Sequence, residues 1–203
     1  MRKFIISVLF GLVFSMILMA YADETQKSVA SNVMRLHIIA NSDDAYDQRV
    51  KLLVRDAIID EFSSLVSDAK NPTHARQIIE ANLLKAEAIA QRVLDENNFS
   101  YYARAVCTKS HFPIKKYGTI TLPPGEYDAL KIILGNGAGQ NWWCVMYPPL
   151  CFEDTIDMGF DSNSKKILKE SLGETDFALI SDTGSIPVCF KFKLLEIFDA
   201  IRK

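Results

Sequence analysis

The sequence predicts an α+β domain, with a long N-terminal helical hairpin and C-terminal helices packed on a mainly antiparallel sheet. Three observations lead to this class. Two long stretches in the first half carry apolar residues at helical spacing, and the middle third is rich in β-favouring segments separated by Pro and Gly. Helical spacing returns beyond Asp161.

The first half of the domain follows from the period of its apolar residues. An apolar run within residues 28–40 suits a buried strand, and residues 41–44 (Asn-Ser-Asp-Asp) supply a turn and a helix N-cap. Two amphipathic helices are predicted over residues 50–66 and 75–94, separated by Asn71-Pro72-Thr73. We expect them to form an antiparallel hairpin that covers one face of the sheet.

The middle third is expected to form the sheet. The β-favouring segments cover residues 101–108, 117–122 and 127–134. Because Pro123-Pro124-Gly125 indicates a tight connection, the second and third segments are predicted to pair as a hairpin. The C-terminal helical spacing covers residues 167–172, 176–180 and 190–201.

The first twenty-two residues have the pattern of an export signal. Two basic residues precede an apolar run over residues 4–20, and Ala20 and Ala22 occupy the small-residue positions before Asp23. Cleavage after Ala22 is favoured because no basic stop-transfer residues follow. Retention as a membrane anchor stays open, since the run is only slightly shorter than the ~20 residues that span a bilayer. A single domain over residues 23–203 would follow the signal.

Charge and cysteine content narrow the class of protein. Without Arg2 and Lys3, 21 basic residues face 25 acidic ones, so the mature domain has no basic field to hold a nucleic acid. The chain has four cysteines, Cys107, Cys144, Cys151 and Cys189. Disulfides persist outside the cytoplasm, and four cysteines allow three pairings, among which spacing does not choose.

Three patterns contain residue types that catalytic or binding sites use, and each is interpreted as structural. The glycines within residues 135–139 lack a following helix N-terminus and a Gly-Lys-Ser/Thr motif, so a plain loop is predicted. The three histidines stand in separate segments without metal-ligand spacing. The Ser-x-x-Lys pairs at 67–70 and 162–165 lack their companion motifs. We therefore predict no catalytic set, no metal and no cofactor.

An exported hydrolase acting on envelope material is the alternative function. It would draw on Glu126, on the Ser-x-x-Lys pairs and on Asp43, Asp44 and Asp47 at a predicted helix start. Carboxylates are favoured at a helix N-terminus by capping and by the helix dipole, so the three aspartates are expected to be caps. Acid–base hydrolysis would require Glu126 to converge with them across a cleft.

Residues 141–152 differ from the rest of the chain because they concentrate both tryptophans, two cysteines and two adjacent prolines. The candidate partner-binding residues are Trp142, Trp143, Tyr147, Pro148 and Pro149. Aromatic residues are enriched among interface hot spots, although core filling is the competing role for the indoles. Pro148-Pro149 would turn Cys151 back toward Cys144, a candidate disulfide if their Cα atoms approach within ~7 Å.

Several motifs together resemble the stage II sporulation protein R family of endospore-forming bacteria. They are residues 35–43 (Arg-Leu-His-Ile-Ile-Ala-Asn-Ser-Asp), 48–57, Phe112-Pro113 with Lys116-Tyr117-Gly118, 122–127 (Leu-Pro-Pro-Gly-Glu-Tyr) and 141–152. The resemblance extends from about Val33 to Phe152. It is looser in the C-terminal third, and Cys107 and Cys189 match none of the motifs.

The resemblance implies a signalling role and no catalytic residues. Proteins of this family are made in the forespore and exported into the space between the two membranes. There they activate a membrane-embedded aspartic protease of the mother cell by contacting its extracytoplasmic part. That protease cleaves the precursor of the early mother-cell sigma factor. An exported domain without a catalytic set is what such a protein ligand requires.

Overall fold

A computed structural model describes residues 1–149 and 162–181, and this part of the chain confirms the α+β class. Its elements are α1 Arg2–Ser31, β1 Met34–Ile39, α2 Ala45–Ser67, α3 Pro72–Ala81, α4 Leu83–Glu96, β2 Ala103–Phe112, β3 Lys115–Tyr117, β4 Ile120–Leu122, β5 Gly125–Leu134, β6 Asn141–Tyr147 and α5 Ser162–Ile180. The helical spacing predicted over residues 190–201 lies outside the described residues.

The main sheet has the strand order β2-β5-β1-β6. The outer pairs, β2 with β5 and β1 with β6, are antiparallel, whereas the central pair β1 and β5 is parallel. The sheet is thus mainly antiparallel, as predicted. The parallel pair brings the carboxyl ends of β1 and β5 to one edge, here called the loop edge, and their amino ends to the opposite edge.

Helices α2, α3 and α4 cover one face of this sheet, here called the helical face. Its hydrophobic core includes Leu36 and Ile38 of β1 and the fully buried Phe62 of α2. The second predicted helix is interrupted at Asn82, whose side-chain Nδ2 donates to the carbonyl of Ile78 (2.8 Å). The predicted helix therefore becomes two helices, α3 and α4.

The other face, here called the aromatic face, is covered by the last turns of α1, by α5 and by the small sheet β3–β4. Strands β3 and β4 pair with each other around Gly118, which has a φ of 53°. The predicted hairpin between residues 117–122 and 127–134 is therefore wrong. The glycine at positive φ permits a tight turn within residues 117–122, so this segment pairs with the residues just before it. Strand β5 pairs with β2 and β1 instead.

Helix α1 is continuous over thirty residues and is, within the described part of the chain, the one helix long and apolar enough to cross a bilayer. Residues 28–31, expected at the start of a strand, form its last turn. There Val29 is fully buried, Ser28 donates a hydrogen bond to the Asp176 carboxylate, and Gln26 donates to the carbonyl of Glu126 (3.4 Å). The apolar helix thus enters the domain without a linker, at the edge opposite the loop edge.

Candidate functional site

Strand β6, which carries both tryptophans, lies at the end of the sheet and pairs with β1. Because successive side chains of a strand alternate between faces, Trp142 and Trp143 project to opposite sides. Trp142 packs half-buried against the helical core, with the Arg55 guanidinium 4.5 Å from its ring centroid. Its buried Nε1 has no hydrogen-bond partner among the described residues. The two indoles therefore do not form one continuous anchor.

Trp143 is half-buried on the aromatic face, where it stacks on His37 with ring centroids 3.9 Å apart. Phe112 lies 4.7 Å from the same indole. His37 donates from Nε2 to Oδ1 of Asn141 (2.7 Å). Burial, with the positive charges of Lys131 and Arg35 in addition, lowers the pKa of His37 to about 4. His37 is therefore a neutral, stacked histidine at neutral pH, in agreement with its predicted structural role.

Arg35 lies fully buried beneath these rings. Its guanidinium carbon stands 4.0 Å from the Phe112 ring centroid and 4.8 Å from that of Tyr127, and its Nη2 donates to the Tyr117 hydroxyl (2.6 Å). Its Nη1 is buried and has no hydrogen-bond partner within residues 1–149 and 162–181. Burial lowers the pKa of Arg35. Arg35 has no acidic partner among the described residues. The faces of the aromatic rings around it stabilise its positive charge instead.

The remaining candidate contact residues differ in exposure. Tyr147 and Pro148 are buried, and Tyr147 belongs to the core of the helical face. Pro149 is half-buried. Tyr147 and Pro148 therefore pack within the chain, while Trp142, Trp143 and Pro149 keep part of their surface accessible.

Cysteine chemistry is described for two of the four residues. Cys144 is disulfide-bonded, while Cys107 is a half-buried free thiol whose pKa is raised by burial to about 11. Cys151 and Cys189 lie outside the described residues. The Cys144–Cys151 pairing therefore stays a prediction.

A polar network at the loop edge joins the start of α2 to the glycine-containing loop. Asp47 is its centre and accepts hydrogen bonds from Ser42 Oγ (2.6 Å), Asn41 Nδ2 (2.8 Å) and the Tyr101 hydroxyl (2.6 Å). Burial alone would raise the pKa of Asp47, but these hydrogen bonds outweigh burial and lower it. The acceptor sites of this carboxylate are engaged by side chains from outside α2, so Asp47 has a structural role but is not the cap that was predicted.

The other acids at the helix start are also engaged. Asp44 caps α2 by accepting from the amide of Tyr46 (2.8 Å), which confirms a predicted cap. Asp43 accepts instead from the amide of Gln140 (2.7 Å) and so ties the loop before β6 to the helix start. Glu126 stands near the opposite end of β5, about 25 Å away at the rise of a β-strand. Convergence of Glu126 with the three aspartates is therefore excluded.

The glycine-containing segment is a plain loop, as predicted, because β6 follows it and no helix does. Gly135 and Gly137 adopt positive φ (54° and 60°). The amide of Asn136 donates to Oδ1 of Asn41 (2.9 Å), and that of Gly139 donates to the carbonyl of Ala40 (2.9 Å). These backbone amides are thus occupied by the β1–α2 connection. In a phosphate-binding loop the amides would instead be free to contact a phosphate.

The metal and Ser-x-x-Lys candidates fall only partly within the described residues. No group of three or more His, Cys, Asp and Glu side chains there is placed to hold a metal ion. Ser67 is exposed at the end of α2 and donates to the carbonyl of Ser64 (2.9 Å). The side chain of Ser162 lies outside the description.

The predicted export residues Ala20, Ala22 and Asp23 lie inside α1, and most large apolar side chains between residues 4 and 21 of this helix are exposed. Asp23 forms an ion pair with Lys27 one turn later (2.7 Å). An exposed apolar N-terminal helix is compatible with an export signal. Cleavage after Ala22 stays a prediction.

Comparison of the sequence with known proteins identifies a family and a relative. Residues 30–157, more than half of the chain, match the family described as stage II sporulation protein R. The chain is 40% identical over 126 residues to stage II sporulation protein R of Bacillus subtilis (strain 168). That match covers 62% of this chain and 56% of the relative, so the chain spans little more than half of the relative's length. No solved structure matches.

Proposed function

Since the chain belongs to the stage II sporulation protein R family and so has a role in sporulation, we propose that it is an exported signalling protein. In this proposal it acts between the forespore and mother-cell membranes and activates a membrane-embedded aspartic protease of the mother cell by contacting its extracytoplasmic part. The protease then cleaves the precursor of the early mother-cell sigma factor. The family match over residues 30–157 is the observation that carries this function.

Two features of the described structure support the proposal that the chain acts as a protein ligand. The exposed apolar helix α1 gives the chain a segment for export. The carboxylates considered for hydrolysis are engaged in capping and packing, or lie at the opposite edge of the sheet. We therefore propose a protein that acts by binding.

Blocking export tests the proposed function. Leu9→Arg with Val13→Arg places two charges in the apolar run, and each costs about 3 kcal/mol at the centre of a membrane helix. In sporulating cells that lack their own family member, we expect the unaltered chain to restore cleavage of the sigma precursor. The double variant should not restore it at equal protein level, as measured by immunoblot.

The matched control is Leu9→Ile with Val13→Leu, which keeps the run apolar and should behave like the unaltered chain. No precursor cleavage by an exported, folded, unaltered chain would overturn the proposal. So would full cleavage by the arginine variant retained in the cytoplasm.

A further inference from the structure

A cavity of about 150 Å³ opens on the outer side of the helical layer, between the first turns of α2 and the end of α4. It is lined by Tyr46, Arg49, Val50, Leu53, Asn97 and Phe99. None of these residues belongs to β6 or to the polar network around Asp47. The cavity is therefore a surface feature separate from the candidates that the motifs indicated.

The residues that line the cavity differ in exposure. The four α2 residues follow at steps of three, one and three, so they form one stripe of the helix. Val50 is buried at the floor, whereas Tyr46 is 72% exposed and Leu53 is 41% exposed. Asn98, with a φ of 61°, turns the chain after α4 and brings Phe99 to the opposite wall.

The far wall is held in place by neighbouring contacts. Phe99 packs on Tyr101, with ring centroids 5.2 Å apart. The Tyr101 hydroxyl donates to Asp47 (2.6 Å), which ties this segment to the start of α2. Because both walls are fixed by the same network, the cavity is pre-formed, and pre-formed sites bind at a lower entropy cost.

The size and charge of the cavity define what it accepts. A cavity of about 150 Å³ accommodates a ring the size of benzene, so it takes one aromatic or branched aliphatic side chain against Val50, Leu53 and Phe99, while Arg49 and Asn97 add polar groups to the lining. Arg49 lies beside it and makes no ion pair with the described residues. A carboxylate next to the inserted side chain would complement that charge, and arginine and tyrosine are enriched among interface hot spots.

We propose that this cavity docks a segment of the protease's extracytoplasmic part that carries an aromatic or aliphatic side chain beside an acidic residue. This inference rests on the proposed function. The cavity lies near the loop edge, about 25 Å along the strands from the edge where α1 enters the domain, and so away from α1.

Charge and shape variants of the cavity test the docking. Arg49→Glu and Leu53→Asp should each lower binding of the full-length chain in detergent to the protease's extracytoplasmic part by at least tenfold. Precursor cleavage in sporulating cells should fall in parallel. Arg49→Lys keeps the charge and should retain most of the binding. Leu84→Asp is the matched control, because Leu84 is 84% exposed on α4 outside the cavity, and it should stay within twofold of the unaltered chain.

The outcomes separate the docking from the proposed function. Unaltered binding by folded Arg49→Glu and Leu53→Asp variants would overturn the docking while the proposed function stands. The same holds if only Trp142→Ala or Trp143→Ala abolishes binding, since contact would then be made through β6. An unaltered chain that neither binds nor activates the protease would overturn the proposed function itself, and the docking with it.

Discussion

The two faces of the four-stranded sheet bury their side chains by different physics. The helical face is closed by apolar side chains such as Leu36, Ile38 and Phe62. The aromatic face buries the cation of Arg35 and the imidazole of His37 among Phe112 and Trp143. Alternating residues of one strand, β1, supply both faces. One strand thus contributes to an apolar core on one face and, on the other face, to a core whose stability depends on pH through the His37 imidazole.

The largest effect is expected where the helical face is emptied. Phe62→Ala removes a fully buried ring from α2, and such truncations cost about 3–5 kcal/mol through lost burial and the remaining cavity. We expect a loss of that size in the free energy of unfolding, measured by denaturant titration at pH 7. Leu84→Ala is the control, because Leu84 is exposed, and it should change stability by about 0.5 kcal/mol or less. A comparable loss in the control would contradict this account of the helical face.

The pH dependence of the aromatic face comes next in size. Folding lowers the pKa of His37 from 6.5 to about 4, so the unfolded chain binds the proton more tightly. Stability is therefore fully present above about pH 6.5 and falls as the pH drops toward 4, by roughly 3 kcal/mol at most.

His37→Phe removes the titrating group and keeps a ring beside Trp143. The difference between the unaltered chain and this variant in unfolding free energy, measured at several pH values between 7 and 4, isolates the His37 contribution. A constant difference across this range would show that His37 does not titrate with a lowered pKa.

The smallest effect is expected for replacing the buried charge by an apolar chain of similar length. Arg35→Met removes the cation–π contacts and also the desolvation cost and the unpartnered Nη1, so stability should change by about 1 kcal/mol or less. The Tyr117 hydroxyl keeps the Trp143 carbonyl as an acceptor (3.4 Å). Arg35→Ala, which leaves a void, should cost about 2 kcal/mol or more by the same unfolding measurement. Equal losses in both variants would show that the charge itself stabilises this face.

Local sequence patterns predicted the positions of helices and strands better than they predicted which strands pair. The period of the apolar residues identified α2, and β-favouring segments marked the cores of β2 and β5. The same patterns missed the break at Asn82, because apolar spacing continues across it. They also paired residues 117–122 with the wrong neighbour, since a turn signal between two segments does not exclude a tighter turn within one of them.

Candidate contact residues show the same limit. The sequence marked Trp142 and Trp143 as exceptional, but only the strand pairing assigns them to opposite faces. Leu53 stands at helical spacing within the amphipathic helix predicted over residues 50–66, where an apolar residue is expected to be buried, whereas the structure leaves it exposed beside a cavity. Arg49 and Phe99 gave no signal, because nothing in their spacing shows that the end of α4 approaches the start of α2.

By itself, the sequence determined the export-like helix, the α+β class, an aspartate cap at the start of α2 and the family resemblance, because these depend on composition and on residues close together in the chain. The tertiary structure alone decided the parallel pairing of β1 with β5, the burial of Arg35 and the cavity beside Arg49. Each of these depends on contacts between residues far apart in sequence. The free energy of such contacts comes from burial and packing, which no local spacing encodes.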